Sequence, residues 1–147
     1  MSTCRETMTP DPVCCQPGDP VSLAADLMRQ HNVGSLPVVD SPASRRLVGI
    51  VTDRDLVVKV VAGNRAVDTA TVRDAMTANP WSCREDDDLD QAIATMAERK
   101  VRRMPVVDEE GRLVGIVAQA DVATRLRSDR QTGELVEAIS EPSVARK

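Results

Sequence analysis

Aromatic residues are almost absent from this sequence, which has one Trp, no Phe and no Tyr among its 147 residues. Single-stranded nucleic acids bind largely by stacking on aromatic side chains, so the composition argues against such a partner. Hydrophobic residues nevertheless make up 41% of the chain, which is enough for one core of Val, Leu, Ile, Met and Ala. We therefore predict a globular protein with an aliphatic core.

The chain also lacks an excess of basic residues and lacks long apolar runs. Its formal net charge is −4, from 19 Lys and Arg against 23 Asp and Glu, whereas duplex nucleic acids select a basic face. No apolar run approaches the roughly 18 residues of a membrane span, and residues 1–10 contain no hydrophobic signal core. These features predict a cytoplasmic protein that binds neither nucleic acid nor a membrane.

Residues typical of catalytic and metal sites are few. His31 is the only histidine, and it has no nucleophile or second ligand candidate to act with. Cys4, Cys14, Cys15 and Cys83 do not follow the C-x-x-C spacing of zinc sites, and their default role is that of small hydrophobic residues. The sequence has no Walker-type or G-x-G-x-x-G loop either. We predict that the protein is not an enzyme, has no catalytic residues and requires no metal.

What the sequence does contain is a long internal repeat. The motif L-V-G-I-V-T-D-R-D at 47–55 returns at 113–121 as L-V-G-I-V-A-Q-A-D, 66 positions later. P-V-V-D occurs at 37–40 and at 105–108, and M-T occurs at 8–9 and 76–77, each 68 positions apart. The difference of two residues lies in the polar loop that joins P-V-V-D to the second motif. Two copies of one structural unit explain this pattern.

The hydrophobic pattern predicts strand, helix, strand, strand and helix in each copy. In the first copy a short strand covers 13–15, Asp19 and Pro20 begin a helix, and the apolar run of 47–51 is a strand that leads into a helix near Thr52. The predicted fold is α+β with two layers, in which two β-α-β-β-α repeats pack about a pseudo-twofold axis. Residues 1–67 hold the first repeat with an N-terminal segment, 68–127 a linker helix and the second repeat, and 128–147 a short C-terminal helix and a tail.

The junction between strand and helix in the first copy carries the most specific chemistry. A hydroxyl at a helix N-terminus, such as that of Thr52, is well placed to help hold a phosphate. The carboxylate of Asp55, three residues later, can accept two hydrogen bonds from the vicinal diol of a ribose. The alternative is that both residues simply cap the helix.

The two correlated copies of P-V-V-D and L-V-G-I-V-T-D-R-D resemble a tandem pair of CBS domains, the Bateman module. The resemblance covers residues 8–126 and implies a regulatory module that binds an adenine nucleotide (AMP, ADP or ATP) and acts in trans on an unidentified protein target. It also implies a homodimer, for which the apolar rows at 56–61 and 122–126 are candidate contacts. The alternative is a structural or thiol-redox-responsive module with a vestigial cleft, in which Cys14, Cys15 and Cys83 respond to oxidation.

The resemblance also implies which residues line the ligand clefts. In the strong cleft Thr52 faces phosphate and Asp55 faces the ribose, while the other predicted contacts are Ile50, Val51, Trp81, Ser82, Arg102 and Arg103. A weak second cleft combines Asp121 with Val13, Cys14, Gly34 and Ser35. That cleft has Ala118 where the first has a hydroxyl, so we predict one strong site per chain.

Overall fold

A computed structural model of the chain describes residues 2–119. Helices and strands alternate as expected, so the α+β class is confirmed. The predicted site residue Asp121, the apolar row at 122–126 and the C-terminal segment 128–147 lie outside the described residues. The elements are α1 Cys4–Thr7, β1 Thr9–Pro10, α2 Val21–His31, β2 Ser35–Val39, β3 Leu47–Thr52, α3 Asp53–Asp55, a π-helix Leu56–Val61, α4 Val72–Ala75, β4 Thr77–Ala78, β5 Cys83–Arg84, α5 Leu89–Arg99, β6 Arg103–Val107 and β7 Leu113–Ala118.

The chain forms two compact units that cut across the sequence repeat. The Thr52 unit consists of Asp11–Trp81 and Asp108–Leu113. The Ala118 unit consists, within the described chain, of residues 2–10, 82–107 and 114–119. Each unit therefore contains most of one repeat together with the opening segment of the other, which is 68–81 in the Thr52 unit and 2–10 in the Ala118 unit. The predicted boundaries at 67 and 127 follow the repeat and not this exchange.

In the Thr52 unit, β3 is the central strand of a three-stranded sheet in the order β2-β3-β4. Both neighbouring strands are antiparallel to it, with Pro37 opposite Ile50 and Gly49 opposite Ala78. The apolar positions of α2 recur at helical spacing and are buried, as predicted. This core is formed by Cys15, Val21, Ala24, Met28, Leu36, Val38, Val51, Val60, Ala70, Val72 and Ala75.

Two local predictions for the Thr52 unit were wrong. Over 13–15 only Cys15 pairs with a strand, through a single parallel bridge to Val38. Helix α2 begins one residue later than predicted because Pro20 keeps an extended ψ of 147° and is itself the N-cap residue. The Asp19 carboxylate instead accepts a hydrogen bond of 2.8 Å from the Gln16 amide and holds the preceding turn.

In the Ala118 unit the sheet order is β1-β7-β6-β5. Strand β1 is antiparallel to β7, whereas β5 is parallel to β6. Helix α5 buries one face, as the repeat predicts from α2. The core of this unit is formed by Cys4, Cys83, Leu89, Ala92, Met96, Met104, Val106 and Val117.

The glycine in each copy of L-V-G-I-V allows an opening strand to approach closely. A Cβ atom on Gly115 would lie 2.4 Å from Met8 Sδ and 3.0 Å from the Thr9 carbonyl oxygen. A Cβ atom on Gly49 would lie 2.8 Å from Met76 Sδ and 3.0 Å from the Thr77 carbonyl oxygen. The repeated M-T and the repeated glycine are therefore two sides of one contact, made once in each unit.

The helix after Thr52 widens into a π-helix, which changes the faces that its valines present. The Ala62 amide donates to the Val57 carbonyl over 2.8 Å, and the Arg65 amide donates to the Val60 carbonyl over 2.9 Å. In a helix with i to i+5 bonds, successive side chains are separated by a smaller angle about the helix axis than in an α-helix. Val60 is buried, while Val57 and Val61 are 58% and 64% exposed. The two exposed valines belong to the apolar row at 56–61, which is a candidate dimer contact.

Candidate functional site

Thr52 and Asp55 form a reciprocal cap at the start of the helical segment 53–61. The Asp55 amide donates to Thr52 Oγ1 over 3.0 Å, and the Thr52 amide donates to Asp55 Oδ2 over 2.9 Å. Thr52 itself has extended backbone angles, which is typical of an N-cap residue. The capping role that the sequence left open is thus present. It fixes the orientation of both functional groups.

The carboxylate of Asp55 has a second partner, Lys59. Lys59 Nζ lies 3.3 Å from Asp55 Oδ1 and donates to the carbonyl oxygen of Ala75, at the end of α4, over 3.0 Å. Asp55 is largely buried, with 16% of its side chain exposed. A carboxylate offers about four lone-pair positions, so these contacts leave acceptor capacity for two further donors. The group therefore keeps the capacity to bind a diol.

Gly34 and Ser35, at the start of β2, lie beside this junction. The Asp53 amide donates to the Gly34 carbonyl over 2.9 Å, and Ser35 lies directly opposite Thr52 in the β2–β3 register. The Ser35 hydroxyl is buried and has no hydrogen-bond partner. A buried hydroxyl without a partner is uncommon and indicates a place where a polar ligand can bind.

Sequence reasoning did not group Gly34 and Ser35 with Thr52. It assigned them to the second cleft, with Asp121. Their distance along the chain hides the contact, which follows from the antiparallel register of β2 with β3. The hydrophobic pattern could have predicted this contact, because a polar loop between two apolar runs predicts a hairpin in which the start of the first strand lies beside the end of the second.

The Ala118 unit has an equivalent junction with different chemistry. The Gln119 amide donates to the Arg102 carbonyl over 2.9 Å, just as Asp53 donates to Gly34. Arg102 and Arg103 therefore lie beside the end of β7 in their own unit. Ala118 supplies no hydroxyl there, as predicted.

The remaining predicted site residues are divided between the two units. Ile50, Val51 and Trp81 belong to the Thr52 unit, with Val13 and Cys14, whereas Ser82 belongs to the Ala118 unit. Val51 is fully buried in the core of this unit. Ile50 is half-buried, and Trp81 and Ser82 are exposed.

Other types of site find little support in residues 2–119. No group of three or more His, Cys, Asp or Glu side chains in this range is arranged to hold a metal ion. His31, at the end of α2, is exposed. Among the same residues, no helix combines the length and the apolar character needed to cross a membrane.

Comparison with known proteins identifies the family. The family model for the CBS domain matches residues 4–62 and 72–128, one match for each repeat. The chain belongs to the CBS domain family. The resemblance that the sequence motifs suggested is thus confirmed, and the protein is a CBS domain pair.

Similar CBS proteins match the pair over nearly its whole length. The CBS domain-containing protein YhcV of Bacillus subtilis (strain 168) is 35% identical over 144 residues, which covers 98% of this chain and 99% of that protein. The crystal structure of Hypoxic Response Protein I with two coordinated zinc ions is 34% identical, with a TM-score of 0.76, and the match covers 84% of this chain and 98% of that one. The crystal structure of CBSX2 in complex with AMP is 31% identical, with a TM-score of 0.75, and the match covers 91% and 100%.

Proposed function

We propose that this CBS domain pair is a regulatory module that binds an adenine nucleotide at the Thr52–Asp55 junction and acts in trans on a separate protein. CBS domain pairs are typically regulatory and not catalytic, and the similar protein CBSX2 has been crystallised with AMP. The proposal is that the likeness to CBSX2 extends to the ligand. The predicted homodimer and the predicted cytoplasmic location stay predictions.

The observation that carries the proposal is the convergence of three polar groups at one junction. Thr52 supplies a hydroxyl and Asp55 a carboxylate, and the buried Ser35 hydroxyl opposite Thr52 lacks a partner. The amides at the start of 53–61 add the positive end of a helical segment. Ribose and phosphate oxygens match this set, because one needs acceptors for its diol and the other needs donors.

Lys59 gives the site a means of responding to its ligand. It contacts Asp55 and the Ala75 carbonyl at the same time, so it connects the site to the segment that leads into β4. A diol that donates to the remaining acceptor positions of Asp55 shares that carboxylate with Lys59. Ligand binding is thereby coupled to the segment between the repeats.

The further contacts with Arg102 and Arg103 rest on the family resemblance, and the preference for one nucleotide per chain rests on the difference between Thr52 and Ala118. They predict that Arg102→Ala or Arg103→Ala weakens ADP and ATP more than adenosine, since a neutral nucleoside has no phosphate to lose. The same substitutions should reduce the dependence of affinity on salt. Equal losses for ADP and adenosine would remove both arginines from the phosphate contacts.

Titration calorimetry with AMP, ADP and ATP tests the proposal. Asp55→Ala should weaken binding by about 10-fold to 100-fold, since charge-assisted hydrogen bonds are worth about 1.5 to 3 kcal/mol. Asp74→Ala is the matched control, because the Asp74 carboxylate likewise accepts a hydrogen bond from the amide of the residue before its helix, Thr71 at the start of α4. Both variants lose a cap, so any stability loss from capping is shared.

The two results separate the function from the cap. Weakened binding in Asp55→Ala with normal binding in Asp74→Ala supports a nucleotide site at Thr52. Equal loss of stability in the two variants with unchanged affinity would leave Asp55 as a cap alone. No heat from any of the three nucleotides, at millimolar concentration, would contradict the proposal as a whole.

The thiol-based alternative finds no support at Cys14 and Cys15. Burial raises the pKa of the Cys15 thiol to about 12, and the charge of Asp19 contributes in the same direction, so the reactive thiolate is disfavoured. Cys14 is half-buried, with its sulfur 4.0 Å from Arg45 Nη1, which is a weak contact. Cys14 and Cys15 therefore give no reason to prefer the thiol-based alternative to the nucleotide function.

A further inference from the structure

Cys4 and Cys83 are neighbours in the core of the Ala118 unit, although they lie far apart in the sequence. Cys4 lies in α1 and is 0% exposed, and Cys83 lies in β5 and is 7% exposed. Helix α1 is held against the turn after β5, because the Cys4 amide donates to the Asp87 carbonyl over 2.9 Å and the Arg5 amide to Glu85 over 3.0 Å. Each of the two thiols shifts the pKa of the other.

The Thr52 unit has the same arrangement with one thiol replaced. Positions 72 and 15 lie 68 residues from Cys4 and Cys83 in the repeat, and they are occupied by Val72 and Cys15. The Val72 amide donates to the Asp19 carbonyl over 2.8 Å, just as Cys4 does to Asp87. Cys15 Sγ lies 3.9 Å from the Pro37 carbonyl oxygen, as Cys83 Sγ does from that of Pro105. A shared scaffold thus carries two thiols in one unit and a thiol with an isopropyl group in the other.

The thiol pair is also electrostatically asymmetric. The hydrogen bond from the Cys83 thiol lowers the pKa of Cys4, against the opposing effects of burial and of Asp87 and Asp88. The same bond, together with burial, raises the pKa of Cys83. Cys4 is therefore the thiol that more readily becomes a thiolate, and thiolates are the form that oxidants attack.

We propose that Cys4 and Cys83 are a dithiol site that peroxides oxidise to an intramolecular disulfide, which joins α1 covalently to β5. The Cys4 thiolate attacks the O–O bond of hydrogen peroxide, forms a sulfenic acid and releases hydroxide, which is protonated to water. The Cys83 sulfur then attacks the Cys4 sulfur, the S–O bond breaks, and the hydroxyl leaves with the Cys83 proton as water. Two thiols are oxidised and one peroxide is reduced to two waters.

Local opening of α1 gives an oxidant access to this buried pair. The segment that contains α1 is built from short elements, with four residues in α1 and two in β1. Short elements of this kind can open locally at a lower free energy than the whole domain. Because α1 carries Cys4 and its backbone binds the residues that follow Cys83, opening of α1 exposes the Cys4 thiol, and closure brings the sulfenic acid back to its partner.

Peptide mapping of the oxidised full-length protein tests the proposal. Trypsin places Cys4 in residues 1–5, Cys83 in 74–84, and Cys14 with Cys15 in 6–29, so the three positions are separated. Reduced protein is treated with hydrogen peroxide, unfolded, alkylated and digested. We expect a cross-linked pair of peptides 1–5 and 74–84 that reduction separates. The cross-link should be absent from Cys4→Val and retained in the Cys14→Ser, Cys15→Ser double variant.

The equivalent position in the other unit provides a matched gain of function. Val72→Cys places a second thiol beside Cys15, so oxidation should add a cross-link between peptides 66–73 and 6–29. Oxidation of the unmodified protein should also slow amide exchange in α1, by about 10-fold or more, because the disulfide removes the local opening. Cross-linking of Cys83 to peptide 6–29, or alkylation of Cys4 and Cys83 after oxidation, would overturn the proposal. So would a cross-link in the Val72→Cys pair without one between Cys4 and Cys83.

Discussion

The Thr52 unit and the Ala118 unit share a frame but differ in the side chains that perform chemistry on it. In each unit, the glycine of the L-V-G-I-V motif allows close approach of the opening strand of the other repeat. In each unit, the amide that follows β3 or β7 also donates to the carbonyl of the residue before β2 or β6. At that strand end one unit has Thr52 and Gly34, and the other has Ala118 and Arg102. These shared contacts are made by backbone atoms and by glycines, and both copies retain them. The two junctions therefore present different chemical groups on the same backbone arrangement.

The largest effects are expected in the two cores, where the units are equivalent. Leu36 and Met104 occupy matching positions in β2 and β6, with 0% and 1% exposure. Leu36→Ala and Met104→Ala should each destabilise the protein by about 2 to 5 kcal/mol, from lost burial and a residual cavity. Urea unfolding followed by circular dichroism measures both.

Leu23→Ala is the control for this comparison, because Leu23 lies on the outer side of α2 and is 40% exposed. It should change stability far less. A severe loss for Leu36→Ala with almost none for Met104→Ala would mean that only one unit determines the stability of the fold.

The next effects are expected at the two glycines. Gly115→Ala should cost about 1 to 3 kcal/mol through overpacking, and Gly49→Ala somewhat less, because the added methyl meets Met8 Sδ at 2.4 Å in one and Met76 Sδ at 2.8 Å in the other. The methionine sulfurs can move, but the carbonyl oxygens at 3.0 Å are backbone atoms. Gly18→Ala is the control, since a methyl group on Gly18 would have no neighbouring atom within 4 Å. Comparable unfolding midpoints for Gly115→Ala and Gly18→Ala would refute the close approach.

The sequence was most informative where the repeat could be compared with itself. Two copies of P-V-V-D and of the glycine motif predicted the α+β class and the order of the main elements. The exchange of opening segments could not be predicted, because a strand such as Thr9–Pro10 has only two residues and pairs through backbone atoms that any sequence provides. The partner of such a strand is decided by the whole fold.

At the candidate site the sequence predicted the groups but not their neighbours. Thr52 and Asp55 were identified by type and spacing, and their cap was one of the two roles considered. Ser35 was assigned elsewhere, because its contact with Thr52 depends on strand register. The π-helix was also unforeseen, since the apolar run of 56–61 fits an α-helix equally well by composition. Cys4 had no visible partner until the fold brought Cys83 beside it.

A third pair of variants removes the hydroxyl from the first junction and adds a hydroxyl to the second. Thr52→Val removes the capping hydroxyl and should cost about 0.5 to 2 kcal/mol of stability together with part of the nucleotide affinity. Ala118→Thr adds a hydroxyl to the other junction, and should not create a second tight site, because one neutral hydroxyl contributes only about 0.5 to 1.5 kcal/mol. Titration calorimetry measures the number of tight nucleotide sites per chain in each variant. Two equal sites in the unmodified protein would contradict the predicted difference between the copies.

The smallest effect concerns pH and the acids that end each P-V-V-D motif, Asp40 and Asp108. Hydrogen bonds from the Arg112 backbone amide, and then from its side chain, lower the pKa of Asp108. The hydroxyl of Ser44 and the Arg46 amide lower the pKa of Asp40. Both acids hold the loop that follows, which is two residues longer in the first copy.

The sign of the pH dependence follows from these shifts. A carboxyl whose pKa is lower in the folded than in the unfolded protein stabilises the fold above the unfolded value of about 3.9, and this contribution is lost as the pH falls through the folded value. Asp108→Asn should therefore flatten the decline of the unfolding midpoint below about pH 4, where acids of this type become protonated. Asp40→Asn should do the same for the longer loop, where fewer strong donors hold the carboxylate. Glu109→Gln removes a negative charge from the loop after Asp108 and controls for net charge. If the decline of the unfolding midpoint at low pH were unchanged in both Asp variants, the carboxylates would not stabilise the loops. The loops would then be held by backbone hydrogen bonds, such as that from the Asp40 amide to the Arg46 carbonyl.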